Sequence, residues 1–329
     1  MSEQQVMNGD FVRSTEPFRG ELLAHCYRML GSVDEAEDLV QETYLRAWRA
    51  FDRFEGRSSV RRWLYKIATN VCLSALEHAG RRFLPSGLMS PHDDVDRLPA
   101  PASSRVKPLQ PIPDALLRPD GDDPASILVA RESLRLALIA GLQHLPARQR
   151  AVLVLRDVLA FPAAEVAQIL ETSVPAVKSM LQRARAKLEE VAPAADSVEE
   201  PTEPQIRMLL DKYIAAFENA DPDALQQILR EDVALEALAY QTWFDGLKTC
   251  MPFLTDHVLG FPGHWKMLPT RANGQPAVVG YHRAGRHYRA FGVAVLDITP
   301  TGIARITAFD YPRLAPTFGF PLTLPGAEV

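Results

Sequence analysis

Cysteine is scarce in this chain of 329 residues. Only Cys26, Cys72 and Cys250 occur, far apart and odd in number. They show no metal-ligand spacing and point to a reducing compartment. Long apolar runs are also missing: none reaches the roughly 20 residues that cross a bilayer. The opening "MSEQQVMNGDFVRSTEPF" has no apolar core of the signal-peptide kind. A basic excess is missing too. Lys and Arg number 36 against 41 Asp and Glu, for a net charge of −5, so any surface for a polyanion must be local. No internal repeat is present. The expectation is a cytoplasmic, soluble, multidomain protein with no membrane contact, no metal and no cofactor. Its length is too great for one ordinary core.

Proline and acid cluster in two places. Residues 84–124, "LPSGLMSPHDDVDRLPAPASSRVKPLQPIPDALLRPDGDDP", follow neither period and read as a Pro/Asp-rich interdomain linker. As a flexible coil it would span about 35 Å. Residues 193–204 are a shorter acidic linker. The chain divides into 1–83, 84–124, 125–192, 193–204 and 205–329.

The first segment is helical. Val33, Ala36, Leu39, Val40, Thr43, Tyr44, Ala47, Trp48 and Phe51 follow the i, i+3, i+4 rhythm. Its opposite face holds Asp34, Glu35, Glu37, Asp38, Gln41 and Glu42. A further helix starts near Ser58 or Ser59, either a suitable cap. Trp63, Leu64, Ile67, Ala68, Val71 and Cys72 form its buried stripe, and Arg61, Arg62, Lys66, Thr69, Asn70 and Leu73 the other side. In the second segment "ASILVARESLRLALIAGL", "PARQRAVLVLRDVL" and "PAAEVAQIL" are three helices, with Pro146 suited to a first turn. The third begins with two helices, Asp221 capping the second and Pro222 opening it. "LKTCMPFLTDHVL" adds one more helix. The rest is short β-branched and aromatic runs, with a hairpin signal at Asn273-Gly274. That order predicts an α+β domain with a meandering antiparallel sheet.

"TSVPAVKSMLQRARAKLEE", residues 172–190, is the stretch with chemistry. Ser173 can cap it, and Pro175 is tolerated where N–H groups have no intrahelical partner. Val174, Val177, Leu181, Ala184 and Leu188 make its buried face. A short helix, a three-residue turn and this longer helix form a helix-turn-helix, whose second helix enters the major groove. Ser173, Pro175, Ala176 and Ser179 permit close approach to base edges. Lys178, Gln182, Arg183 and Arg185 are candidates for contacts farther along. The alternative is an ordinary helical hairpin with a solvated basic face.

Two runs decide between these. "YRMLGSVDEAEDLVQETYLRAWRAFDRFEGRSSVRRWLYKIATNVCLSALEHAGRR" resembles region 2 of sigma-70 family factors of the extracytoplasmic-function group. "LPARQRAVLVLRDVLAFPAAEVAQILETSVPAVKSMLQRARAKL" resembles their region 4. The resemblance implies a transcription initiation factor with core RNA polymerase and promoter DNA as partners. Core polymerase would be gripped by Asp38, Gln41 and Glu42, and the opened −10 element held by Arg61, Arg62, Lys66 and Asn70. Trp63 reads as core and Tyr65 is ambiguous. The −35 element would be read through the 172–190 helix. In such factors the connection between the two regions threads the RNA channel. Asp93, Asp94, Asp96, Asp114, Asp120, Asp122 and Asp123 would suit that path, and a passive tether is the alternative. No sequence feature speaks to an anti-sigma partner.

The last segment resembles the SnoaL-like branch of the NTF2-like fold, a cone with an apolar pocket that in some relatives is an enzyme using an Asp–His pair. The resemblance implies a regulatory domain and a small-molecule ligand, with Asp245, His257, His264, His287 and Asp310 as candidate pocket residues. The fold class expected is therefore multidomain: two all-α sigma domains and a C-terminal α+β cone. The rival functions are a cyclase- or isomerase-like enzyme tethered to DNA and a plain duplex-DNA repressor.

Overall fold

A computed structural model of the chain describes residues 3–56, 58–78, 82–94, 107–117, 133–191 and 201–326. The contacts divide the chain into two units. One comprises 1–82 and 116–193, the other 83–115 and 194–329.

The first unit is helical. Its helices are α1 (Glu3–Thr15), α2 (Arg19–Leu30), α3 (Val33–Ala50), α4 (Val60–His78), α5 (Leu136–Gln143), α6 (Ala147–Leu153), α7 (Ala163–Ile169) and α8 (Val174–Val191). α2 is buried over every residue from Leu22 to Leu30, as a helix surrounded by others must be. It stops at Gly31, whose φ of 68° ends the helix in the left-handed region. Ser32 then caps α3 by accepting from the Glu35 N–H, and Asp34 and Glu35 fill the positive first turn. Ser59 caps α4 by accepting from the Arg62 N–H at 3.2 Å. α6 runs on into a π turn at Val154–Val158. Gly141 lies where α5 meets α8: a Cβ there would stand 2.8 Å from Leu188 Cδ1.

Several expectations are corrected here. The helix expected over 125–142 is broken by a turn at 133–134, and a helix runs from Leu136 with Arg135 as its N-cap. Residues 125–132 lie outside the described residues. Pro146 is the N-cap of α6, one position before its first turn. Thr69 is fully buried, not exposed, and pairs with His25 Nε2 at 3.0 Å. Trp48 is 41 % exposed and so not core. Trp63 is half-buried, packed against Phe51 and Phe54.

The second unit is α+β. Helices α9 (Glu203–Glu218), α10 (Pro222–Ile228) and α11 (Leu247–Phe253) accompany a sheet of β3 (Leu229–Ala237), β4 (Thr242–Asp245), β5 (Trp265–Ala272), β6 (Gln275–Ala284), β7 (His287–Thr299), β8 (Gly302–Phe309) and β9 (Thr323–Pro325). Asp221 caps α10 by accepting from the Ala224 N–H. The strand order is β4-β3-β8-β7-β6-β5, with β9 on β7. The sheet is not a pure meander, because β3 and β8 run parallel. β5 and β6 form the hairpin expected at Asn273-Gly274, both residues at positive φ (57° and 71°) as its tight turn requires. The core lies between the sheet and the helices, on Leu209, Tyr213, Phe217, Phe253, Trp265 and Leu296 among others.

The segment read as a coiled linker is docked on this second unit over 83–94 and 107–115. Two short strands, β1 (Arg82–Phe83) and β2 (Lys107–Pro108), pair near its ends. The Ser86 N–H donates to Glu236 Oε2 at 3.1 Å. Trp243 Nε1 donates to the Met89 carbonyl, and the His92 N–H to the Trp243 carbonyl. Ile112 and Asn273 exchange two bonds of 3.0 Å: Ile112 N–H to Asn273 Oδ1, and Asn273 N–H to the Ile112 carbonyl. Asp114 accepts from the Gly274 N–H and faces Arg271 at 3.4 Å. Composition misled because Leu109 and Ile112, fully buried here, are too sparse to show a period. Asp96, Asp120, Asp122 and Asp123 lie outside the described residues.

His25 yields a test of the helical unit. Burial, then the Arg28 charge, depresses its pKa to about 3. The unfolded imidazole titrates near its ordinary value, so the unfolded chain takes up the proton first as pH falls. Stability present above about pH 6.5 is therefore lost on acidification, by about 2 kcal/mol at pH 5 from this group. Urea denaturation at pH 7 and pH 5 should show that loss in the natural chain and lack it in His25→Gln.

Candidate nucleic-acid interface

The first surface is the helix-turn-helix. α7 and α8 are joined through Leu170–Ser173, with Glu171 in the left-handed region at φ 49°. Arg148 Nη2 donates to the Leu170 carbonyl at 2.7 Å and fixes the turn to α6. Ser173 caps α8 by accepting from the Ala176 N–H at 3.3 Å. Val177, Leu181 and Ala184 are buried. Ser173, Pro175, Lys178, Ser179, Gln182, Arg183 and Arg185 are exposed, and Ala176 is half-buried. Pro175, Ser179 and Gln182 recur at i, i+4, i+7 and so share one line. The leading end of the helix is thus small and neutral, with cations behind.

The cations are not equivalent. Arg185 is bidentate to Asp157 at 2.8 and 2.7 Å, and Lys187 reaches Glu190 at 2.8 Å. Lys178 and Arg183 have no ion pair among the described residues. They are the residues whose charge is available to phosphate.

The second surface is the half-buried side of α4 that carries Arg61, Arg62, Lys66 and Asn70. Arg61 Nε donates to Glu21 Oε2 at 2.7 Å, and its guanidinium lies 5.1 Å from both the Tyr65 and the Phe161 ring centroids. Tyr65 is buried and donates to the same Glu21 oxygen at 3.0 Å. Burial raises its pKa and keeps the phenol neutral. Arg62 Nη2 donates to Gln168 Oε1 at 2.5 Å, and its Nη1 is 3.9 Å from Glu165. Lys66 is 3.2 Å from Glu171. Asn70 is half-buried on the same helix. Thus Arg61, Arg62 and Lys66 each meet a residue of the 161–171 stretch.

A third surface lies on α3. Asp38 and Gln41 are exposed, while Glu42 is half-buried and accepts from Arg46 at 2.7 Å. Leu45 (50 % exposed) and Trp48 (41 %) continue the line at spacings of four and three. Sequence reasoning placed Trp48 in the core and passed over Leu45. An exposed apolar pair beside polar residues is the composition of a protein-binding patch. The signal was that Leu45 shares the phase of Asp38 and Gln41.

In the second unit the candidates do not converge. Asp245, His257 and His287 are exposed. His264 is half-buried against Phe261 and Trp265. Burial and then His282 lower its pKa. Of the five, Asp310 alone lines the apolar cavity between sheet and helices. Among the described residues no cluster of His, Cys, Asp or Glu could hold a metal, and no helix is long and apolar enough to cross a membrane.

Comparison with known proteins agrees with this layout. Residues 16–82 match the family model of Sigma-70 region 2, and residues 135–188 that of Sigma-70, region 4. The chain is 46 % identical over 323 residues to the ECF RNA polymerase sigma factor SigG of Mycobacterium tuberculosis, covering 96 % of this chain and 85 % of that one. It is 30 % identical over 302 residues to the probable ECF RNA polymerase sigma factor SigI of the same organism, with 89 % and 91 % covered. The crystal structure of the M. tuberculosis extracytoplasmic function sigma factor SigJ shares the fold, with a TM-score of 0.59 at 24 % identity over 94 % of this chain and 99 % of that one.

Replacing Arg183 by Ala should weaken binding of the chain to duplex DNA. The slope of log affinity against log salt should become shallower by about 0.9, as the loss of one phosphate contact requires. Arg185→Ala, which removes a cation already paired with Asp157, should change the slope less than Arg183→Ala does. Fluorescence anisotropy over a salt series measures both.

Proposed function

The chain belongs to the extracytoplasmic-function RNA polymerase sigma factors, and from that premise we infer how its surfaces divide the work. As a transcription initiation factor it directs RNA polymerase to promoters. The α8 helix reads the −35 element as duplex, its small leading residues against base edges and Lys178 and Arg183 against phosphates. The α4 face holds the −10 element once it opens. Unstacking costs free energy, and a strand held by Arg61, Arg62, Lys66 and Asn70 recovers part of it. The α3 line from Asp38 to Trp48 grips core RNA polymerase. Its site of action is the cytoplasm. The observation that supports this division is that an exposed face of α8, a half-buried cationic face of α4 and an exposed polar-apolar line on α3 fall on the two matched regions.

The C-terminal unit modulates this activity. Support comes from the course of the chain: in the connection from α4 to α5, residues 83–94 and 107–115 are packed into the second unit. That unit therefore governs how much chain is free between the two DNA-reading regions. An enzymatic role finds less support. The cavity lining includes Asp310 and no histidine, so no Asp–His pair is assembled there.

Transcription from a cognate promoter by purified core polymerase plus this chain tests the division. Trp48→Ala should weaken core binding by ten-fold or more, about the loss expected of an interface hot spot, with DNA binding by the isolated chain unchanged. In the same reaction Asn273→Ala, which leaves the buried Ile112 N–H without its acceptor, should release the docked segment and change transcript yield. An unaltered yield would remove the second unit from control.

A further inference from the structure

Acid is missing from one long stretch of the second unit. The chain carries 41 Asp and Glu, yet none lies between Asp256 and Asp297. The β6–β7 hairpin falls inside that stretch. Its strands pair as far as Ala284 and His287, which leaves Gly285 and Arg286 as a two-residue turn. Gly285 has a φ of 66°, as the first position of a tight hairpin turn requires. β9 braces the tip. It pairs along His287–Arg289, and the Gly326 N–H donates to the Arg286 carbonyl at 3.0 Å.

Three arginines crown this tip. Arg283, Arg286 and Arg289 are exposed, and none has an ion pair among the described residues. Arg283 Nε reaches only the Gly285 carbonyl, at 3.4 Å. The other cations on strands β3 to β9 each meet a carboxylate: Arg230 meets Asp232, Lys266 meets Glu218, Arg271 meets Asp114 and Arg305 meets Glu236. The sheet thus neutralises its cations everywhere except here. The unneutralised charge is felt next door, where burial and then Arg289 lower the His282 pKa. All three cations are Arg, whose planar fork suits phosphate oxygens. His282 and Arg289 are directly opposed and share a face. Arg283 is one residue on and takes the other face, with Arg286 at the end. Charge on both faces and at the tip suits a phosphate backbone. Base edges would demand one fixed orientation.

The covalent path decides which polyanion is in reach. α8 ends at Val191 and α9 begins at Glu203, and the chain between them spans at most about 40 Å. A short tether to a helix already on duplex DNA gives an effective concentration on the order of millimolar, so even weak contacts are occupied. A single strand fits less well, because its platforms carry successive aromatic rings. Phe261 is the only exposed aromatic residue of this unit among the described residues. Tyr288 is half-buried and commits its hydroxyl to the Gly263 carbonyl at 2.9 Å.

We propose that the β6–β7 hairpin is a second duplex-DNA contact of this chain, in which Arg283, Arg286 and Arg289 engage backbone phosphates outside the stretch met by α8. The proposal rests on the reading of α8 as the −35 helix. It gives the second unit a direct hold on the promoter, beyond its control of the connection. The test is fluorescence anisotropy of the full chain with a labelled duplex of about 40 base pairs, roughly 135 Å long. Replacing all three arginines by Gln should make the slope of log affinity against log salt shallower by about 0.9 per phosphate contact, up to about 2.7. Arg283→Lys, Arg286→Lys and Arg289→Lys together keep the charge and should keep the slope. A slope lost in the Lys variant as well would mean a structural effect and overturn the phosphate contacts. The control Arg207→Gln, Lys212→Gln and Lys248→Gln removes equal charge from exposed helical positions of the same unit and should change the slope less than half as much. An unchanged slope in the Gln hairpin variant, or an equal change in the control, overturns the proposal. Single-stranded RNA and vesicles containing anionic lipid are run in parallel. A larger loss on either than on the duplex overturns DNA as the partner. Arg183→Ala in the same series reports on α8. No effect there beside a clear effect of the hairpin variant sinks the α8 reading and leaves the hairpin contact standing. The opposite pattern sinks the hairpin alone.

Discussion

Arg150 is the constraint on which the helical unit depends. It is 2 % exposed, and among the described residues its guanidinium makes four hydrogen bonds to neutral oxygens. It donates to the Met29 carbonyl, to Gln143 Oε1 at 2.7 Å, and to the Gln143 and Leu145 carbonyls at 3.2 Å. A buried charge is costly without compensation. Part of the compensation comes from the ends of helices: Met29 lies in the last turn of α2, and Gln143 is the last residue of α5. Both present carbonyls at the negative end of a helix dipole. One cation therefore joins the end of a region 2 helix to the start of region 4. Arg28 adds a second tie, donating to Ser133 Oγ at 2.8 Å and to the Ser133 carbonyl at 3.4 Å. Burial lowers the Arg28 pKa only to about 10, so it stays charged. Regions 2 and 4 consequently fold as one body, and the contacts of Arg61, Arg62 and Lys66 follow from that.

Much of this was legible in the sequence, for identifiable reasons. The helices of unit 1 showed because their stripes repeat over three or more turns and because two caps, Ser59 (read with Ser58 as its alternative) and Ser173, stand at the right offsets. α8 was largely readable: Val177, Leu181 and Ala184 of the expected buried face are buried, while Val174 and Leu188 are half-buried. The hairpin at Asn273-Gly274 showed because its turn chemistry is local. What did not show depends on partners far along the chain. The pairing of Arg185 with Asp157 spans 28 residues, and that of Arg62 with Gln168 spans 106. Nothing local marks either arginine as engaged. Leu45 and Trp48 hid because an apolar residue on a helix is ordinarily core, and only the fold reveals which apolar residues the core leaves out.

The cavity was half legible. Asp310 stood among five candidates chosen by residue type, and the structure separates it from Asp245, His257 and His287, which face solvent. The informative residues of its lining were those with little side chain. Gly280 stands opposite Gly292, and Ala294 opposite Ala308. They look ordinary in sequence, because their meaning lies in which of them are opposed across β6, β7 and β8. Register is a property of the sheet, and no window of sequence contains it.

The docked segment has a consequence for how the molecule is made. Ile112 finds its partner Asn273 only 161 residues later in the chain, and Ser86 finds Glu236 after 150. During synthesis, regions 2 and 4 leave the ribosome complete while residues 83–94 and 107–115 still lack the surface that covers them. At roughly 5–20 residues per second the interval from Ile112 to Asn273 is on the order of ten seconds or more. Each nascent molecule therefore passes through a stage in which its two promoter-reading regions are present and the connection between them has not been fastened. The age of the molecule, and not its composition alone, decides how far that connection is free.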